Sequence, residues 1–328
     1  MKSNYLGIDI SKDKFDVCLL REGGRRTRQK VQGIRAVFNN TPEGFALFLK
    51  WLEGMDVKEL HACMEATSRY GDALAYFLYE LGFTVSVVNP YQIKHFAKSD
   101  GIRGKTDRID ARVIAQFCQS NNPISWKPLK AENRKLSDLT RRRLELEKML
   151  VQEKNRLKTP GGDKDVRKSI DALIEALEAQ IKAIDEKMKG VISSDDELKM
   201  CRELVDSVPG IGEKSAMMLM GMVGDFNRFE DSRKFVAWAG LVPCENQSGN
   251  KRGKPYLTKQ GMNIVKKLLF LPTMAALRSN EPIRMFASRL KTRGKSKMQI
   301  IMAAMHKLLS QVFGVVNSQK PFSINYCH

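Results

Sequence analysis

The sequence predicts an α/β domain followed by a longer, mainly α-helical region, and three observations carry that prediction. Up to Pro90 short apolar strands alternate with helical patterns. From Pro128 the apolar positions change to heptad spacing. Between Gly249 and Ser310 fourteen Lys or Arg stand against one acid, Glu281, while Ile264, Leu268, Met298, Ile301, Met305 and Leu308 keep helical spacing. This last stretch is a folded basic domain rather than a tail.

Taken in order, Asn4 to Ser11 reads as a strand, Lys14 to Arg21 as a second and, after the Gly23-Gly24 turn, a third lies within Arg26 to Asn39. Their tight connections predict an antiparallel meander. A helical pattern after Pro42 (Phe45, Leu49, Leu52) leads to a buried strand, Leu60 to Glu65. A helix around Tyr70 to Leu81 precedes the strand Val85 to Val88, which Asn89-Pro90 stops. The order βββαβαβα is that of a ribonuclease H-like sheet, with parallel strands and crossover helices in its second half.

Composition narrows the function. A net charge of +19, from 56 Lys plus Arg against 37 Asp plus Glu in 328 residues, implies a polyanionic partner, with nucleic acid first. Six scattered cysteines, without CxxC pairs or alternation with His, read as reduced, mostly buried thiols rather than zinc ligands. No apolar signal core opens the chain and no apolar run reaches the roughly 18 residues of a membrane span. A cytoplasmic, nucleoid-associated protein without membrane contact is the expectation.

The acids fall at particular places on this scheme. Asp9 lies between Ile8 and Ile10 in the first strand, where an unpaired carboxylate costs several kcal/mol, and Glu65 ends the strand Leu60 to Met64. Asp107 and Asp110 open a helix continuing through Val113, Ile114 and Phe117, and their i, i+3 spacing puts them on one helix face. Asp107 alone reads equally well as a helix-start acid favoured by the dipole. Together the four could hold Mg²⁺ (or Mn²⁺), a hard ion suited to carboxylate oxygen.

Further along, Leu136, Leu139, Leu146, Leu150 and Leu157 occupy heptad positions interrupted by Arg143 and Glu153. After the Pro160-Gly161-Gly162 loop, Ile170, Ile174, Leu177, Ile181, Ile184 and Met188 repeat the seam, which predicts an antiparallel coiled-coil hairpin or a dimerisation arm. Val208-Pro209-Gly210-Ile211-Gly212-Glu213-Lys214 has the helix-hairpin-helix pattern, whose glycines let backbone N–H groups meet a phosphate; a plain tight turn is the competing reading. Trp238 reads as a core aromatic. Ser248, Lys251, Arg252 and Lys254 form a basic, glycine-flanked segment, and by chemistry alone Ser248 reads more readily as a turn serine than as a nucleophile.

The combination GIDIS, MEAT and KTDRIDAR, with Asn89-Pro90, a basic helix and Gly101-Ile102-Arg103 after it, resembles the DEDD transposases. These insertion-sequence recombinases are related to the Piv-type DNA invertases and to the recombinases guided by a bridge RNA. The C-terminal motifs PGIG, AGLVP and SG…RG…KQG extend the resemblance. It implies a RuvC-like domain over residues 1–127 with its four acids on Asp9, Glu65, Asp107 and Asp110. A coiled-coil hairpin would occupy 128–195, and 196–328 would form a transposase domain whose nucleophile falls on Ser248. Asn250-Lys251 depart from the small polar residues of the relatives, so neighbouring contacts do not transfer.

The implied reaction is strand transfer between donor and target DNA through a covalent phosphoserine, directed by a guide (bridge) RNA. None of the four histidines is near Ser248 in sequence, which leaves activation to metal at the acids, brought near by folding or by a neighbouring subunit. Arg252 or Lys254 would stabilise the transition state. Recombination needs several active sites, so a dimer or tetramer is expected. Two other classes compete: a RuvC-like metal-dependent junction nuclease in which Ser248 is structural, and a non-catalytic DNA-binding protein, which leaves Asp9 unexplained.

Overall fold

Strand β1 (Asn4–Ile10) forms the centre of a five-stranded sheet, because it is apolar on both faces at Leu6, Gly7 and Ile8 and can accept a neighbour on each side. The computed structural model describes residues 4–21, 33–66, 69–99, 107–159, 163–244, 247–248, 251–252, 256–257 and 261–324. These divide into two compact units, Met1–Pro128 and Leu129–His328.

In the first unit β1 pairs antiparallel with β2 (Lys14–Arg21), which pairs antiparallel with β3 (Ile34–Asn39). On the other side β1 runs parallel to β4 (Leu60–Glu65) and β4 parallel to β5 (Thr84–Val88). The order β3-β2-β1-β4-β5 is a mixed sheet consistent with a ribonuclease H-like domain. Helix α1 (Pro42–Gly54) starts where Thr41 Oγ1 accepts a hydrogen bond from the Gly44 N–H at 3.2 Å, with Pro42 in its first turn. Together with α2 (Asp72–Glu80) it covers one face: Phe45, Phe48, Leu52, Leu74 and Leu78 pack on Leu6, Ile8, Phe15, Val17 and Met64.

The opposite face is covered by α3 (Pro90–Ser99) and α4 (Asp107–Asn121). Alternation along the strands divides the side chains cleanly, so Cys18, Leu20 and Cys63 meet Ala111, Ala115, Val113, Ile114 and Phe117 on this side. Gly7 makes the close approach possible. A Cβ there would lie 2.0 Å from the Ala111 carbonyl oxygen and 2.3 Å from the Ala115 nitrogen. His61 is half-buried and donates through Nε2 to Ser86 Oγ (2.8 Å), whose own hydroxyl points at the carbonyls of Pro123 and Ile124.

The second unit begins with two long helices, α5 (Ala131–Leu157) and α6 (Lys164–Ser193). They run antiparallel: Arg143 bonds Asp185 and Lys154 bonds Glu178, so partners fall in number along one helix as they rise along the other. Both interruptions of the heptad stripe are buried. Arg143 is 2% exposed and its guanidinium is held by Asp185 (2.5 Å) and Glu147 (3.2 Å), while Glu153 pairs with Arg156. Helices α7 (Asp196–Asp206), α8 (Glu213–Val223) and α9 (Ser232–Trp238) follow, and Leu136, Leu146, Leu177, Ile184 and Met188 join them in one core. Trp238 packs on that core, stacked on Phe235 with centroids 5.7 Å apart.

Helices α10 (Asn263–Ser279), α11 (Glu281–Thr292) and α12 (Lys297–Ser318) complete the unit. The sequence reading finds no apolar run of membrane-spanning length, yet α12 is long and apolar enough by composition. Its Ala304, Met305, Leu308, Leu309 and Val312 are spent on the core, where all are essentially inaccessible.

Candidate functional site

The acids of the first unit sit where the sheet and α4 meet. Gly7 pairs with Cys63 and Ile8 with Met64 across the parallel β1–β4 ladder, so Asp9, next to last in β1, and Glu65, last in β4, are the residues that follow the ladder's last pair. Both alternate with residues of the α1–α2 core and therefore belong to the α4 face. Ala111 of α4 backs onto Gly7, and Cys118 Sγ reaches the His61 carbonyl at 3.5 Å. The helix thus runs backwards along β1 and β4, and its first turn, which carries Asp107 and Asp110, lies at the Asp9 and Glu65 end. A helix N-terminus favours negative charge there.

Asp9, Glu65 and Asp110 are all half-buried. The side chain of Asp107 lies outside the described residues, as do Gly101-Ile102-Arg103 and Lys105-Thr106. Among the described residues no three Asp, Glu, His or Cys side chains converge closely enough to hold a metal ion. The donor set is nevertheless all oxygen, which suits a hard divalent cation and not a soft one.

In the second unit Ser248 belongs to a small antiparallel hairpin. Its strand β7 (Gln247–Ser248) pairs with β8 (Lys251–Arg252), with Ser248 opposite Lys251 and Gln247 opposite Arg252. Outside this, β6 (Pro243–Cys244) pairs with β9 (Tyr256–Leu257). In sequence, two residues separate the ladders on the way out and three on the way back. The side chains of Ser248, Lys251 and Arg252, and all of Lys254, lie outside the described residues.

The base of this hairpin is pinned by two glycines. Gly240 (φ +70°) and Gly261 (φ +92°) both occupy the left-handed region, and a Cβ on Gly261 would lie 2.5 Å from the Gly240 nitrogen. The Met262 N–H donates to the Trp238 carbonyl (3.0 Å), and Lys266 Nζ donates to that of Gly240 (3.3 Å).

The turn between α7 and α8 uses its glycines differently. Gly210 (φ +105°) faces inward, with a would-be Cβ 2.5 Å from Ala276 of α10. Asn280 Nδ2 donates to the neighbouring Pro209 carbonyl at 3.2 Å. Gly212, at the N-cap of α8, and Lys214 are exposed.

Two family models match the chain: one described as a DEDD transposase of the IS110 type over residues 6–159, and one described as the transposase IS116/IS110/IS902 family over residues 202–288. The chain is 31% identical over 326 residues to the pilin gene-inverting protein of Moraxella lacunata, with 98% of each chain covered. The same identity and coverage hold for the pilin gene-inverting protein of Moraxella bovis. It is also 26% identical to the transposase for insertion sequence element IS1111A of Coxiella burnetii, over 83% of this chain and 78% of that one. The chain belongs to the IS110-type transposase family.

As a member of that family it is a DNA transposase/recombinase, an enzyme of DNA recombination. The fold of this transposase adds an acid that the sequence reading passes over. Asp16 pairs directly with Asp9 across the β1–β2 ladder, is 7% exposed and lies on the same α4 face. Lys14 Nζ reaches it at 3.3 Å. Like charges directly opposite on one face repel, a repulsion that the Lys14 ammonium partly offsets. The clue was in the sequence: Asp16 lies between Phe15 and Val17 as Asp9 lies between Ile8 and Ile10. Two residues along β2, burial pushes the Cys18 thiol up in pKa, and the charges of Arg35 and of Arg112 on α4 partly offset it.

Proposed function

We propose that this transposase cuts and rejoins donor and target DNA through a covalent phosphoserine on Ser248, with Asp9, Glu65, Asp107 and Asp110 as the holders of Mg²⁺ or Mn²⁺. The observation that carries the reading is the register of Asp9 and Glu65 at the ends of adjacent parallel strands, with the first turn of α4 above them. Ser248 stands at the end of a two-stranded ladder opposite Lys251, a backbone frame that fixes a hydroxyl-bearing residue beside a cationic one. A divalent ion bound by the acids would stabilise negative charge on the phosphate oxygens.

In the reaction the serine Oγ forms a bond to phosphorus while the bond to the deoxyribose oxygen of the departing strand breaks. That oxygen leaves as a hydroxyl, and the serine proton passes to solvent or base. Attack by a strand hydroxyl on the phosphoserine reverses the step, so rejoining needs no outside energy source. Arg252 and Lys254 would offset the charge developing at phosphorus. The exposed Gly212 and Lys214 would meet backbone phosphates, with Lys251, Arg252 and Lys254 continuing the basic surface and Gly210 shaping the turn. The +19 charge supports a polyanionic partner, DNA first; a guide RNA follows from the family resemblance alone, and a homo-oligomer from the need for several active sites in strand exchange.

Ser248→Ala protein, incubated with DNA and Mg²⁺ and then denatured, tests the reading. The expected result is retained DNA binding and no protein–DNA adduct. An adduct that persists in this variant overturns the nucleophile; wild-type cleavage with no adduct at all points to a water-using nuclease.

A further inference from the structure

An apolar cleft of about 550 Å³ opens between α11, α12 and the first residues of the serine hairpin. Its walls are Leu241, Phe286, Leu290 and Met302, and its rim carries Lys295 and Gln299. Such a lining can take an apolar group, and the surroundings say which kind. From Arg284 to Lys307 there are seven Lys or Arg and not one acid. Residues 291–299 are all exposed, so the cations of this stretch face solvent, and Lys295 among them lines the cleft. Lys307 Nζ stands 5.7 Å from the centroid of the Phe286 ring. An apolar protein segment gains nothing from such a rim; a polyanion carrying flat apolar groups gains from both rim and floor.

We propose that this cleft receives an unstacked nucleobase of the DNA strand that carries the scissile phosphate, with Phe286 as its stacking platform and the rim cations on the flanking phosphates. The proposal rests on the Ser248 reading for its place in the reaction. Pro243, on the cleft wall, is five residues from Ser248, so their Cα atoms are at most about 18 Å apart. At about 3.4 Å per step along a strand, the base would lie within roughly five steps of the cut. Half-buried His306 also lines the cleft, and burial lowers its pKa, so at neutral pH the ring offers one donor and one acceptor to a base edge. Holding a base outside the duplex would keep the cut end from re-pairing while strands exchange.

Two measurements on the full-length protein test this. The first irradiates wild-type protein bound to a single-stranded DNA 12-mer bearing 5-iodouracil and maps the crosslinks by mass spectrometry. Attachment at Phe286, Met298, Met302 or His306 is expected; crosslinks confined to other parts of the chain overturn the proposal. The second compares a thymine 12-mer with an abasic 12-mer of the same phosphates. Phe286→Ala should weaken the thymine oligomer about tenfold and leave the abasic one unchanged. Met298→Ala, at an exposed position on the cleft lining, should show the same selectivity more weakly without risk to folding. Equal losses for both oligomers, or none, refute a base site.

An RNA 12-mer serves as a comparison arm, and tighter, crosslinked binding of RNA over DNA would refute the assignment to the cut strand. Binding of a second copy in the cleft would appear as self-crosslinks without DNA and would also refute it. None of these readouts uses the serine, so loss of the Ser248 adduct assignment leaves the crosslink result standing, and the reverse.

Discussion

Asp9 and Asp16 face each other in register across the β1–β2 ladder, and both are on the side of the sheet that α4 covers. Asp16→Asn keeps the side-chain shape while removing one charge. Without divalent ion the melting temperature should stay within about 2 °C of wild type, since relief of repulsion offsets the loosened Lys14 contact. Added Mg²⁺ should raise the wild-type transition more than that of the variant, because stabilisation by a ligand grows with the logarithm of its affinity. Calorimetry in EDTA and in Mg²⁺ makes the comparison.

Gly7→Ala places a methyl group against backbone atoms of α4 that cannot turn aside. The expected loss is about 3 kcal/mol, as for an overpacked core site. Urea unfolding followed by circular dichroism measures it.

The buried Arg143 divides two mutations that look alike. Asp185→Ala leaves the guanidinium with only the half-exposed Glu147 and should cost about 2–3 kcal/mol. Arg143→Met removes the charge and fills the space, and should stay within about 1 kcal/mol of wild type. Denaturant midpoints of the two variants test the order.

Acid should weaken the fold through two half-buried histidines. Burial lowers the pKa of His61, with a hydrogen bond to Asn122 partly opposing it, and burial alone lowers that of His306. Between the folded and unfolded values the unfolded chain binds more protons, so stability rises with pH there. The contribution is complete above about pH 6.5 and is lost as pH falls through the lower folded values. His61→Gln should flatten the slope of unfolding free energy between pH 7.5 and 5.5, measured in urea.

Gly261→Ala adds a methyl group at a left-handed residue 2.5 Å from the Gly240 nitrogen. The base of the serine hairpin must shift, and phosphoserine formation should fall by about 10²-fold, as for a displaced reacting group. Adduct yield read beside DNA retention separates this from loss of binding.

The strands of the first unit were legible because their apolar runs are short and bounded: Lys14 to Arg21 and Leu60 to Glu65 appear with those limits. The third strand was placed only within a wide window, Arg26 to Asn39, since a polar edge strand has one weakly apolar face; it spans Ile34–Asn39. Asp9 drew notice as an acid among apolar neighbours, while Asp16 did not, because its importance comes from a cross-strand register that no local pattern encodes. Arg143 and Glu153 read as breaks in a stripe; each is accommodated by a partner on its own or the facing helix, an arrangement invisible to periodicity. Gly210 looked like a phosphate-binding residue by motif, and only tertiary packing brings Ala276 against it. Among the described residues, the short ladders around Ser248 are too brief to carry an alternation of their own.

The contact between Gly240 and Gly261 brings the two ends of the segment that carries Ser248 together against the helices. The segment's length and chemistry are free to diverge from one lineage to another while the helices that carry it stay the same, provided the two glycines persist. New target preferences can then arise in the hairpin without a search for a new scaffold.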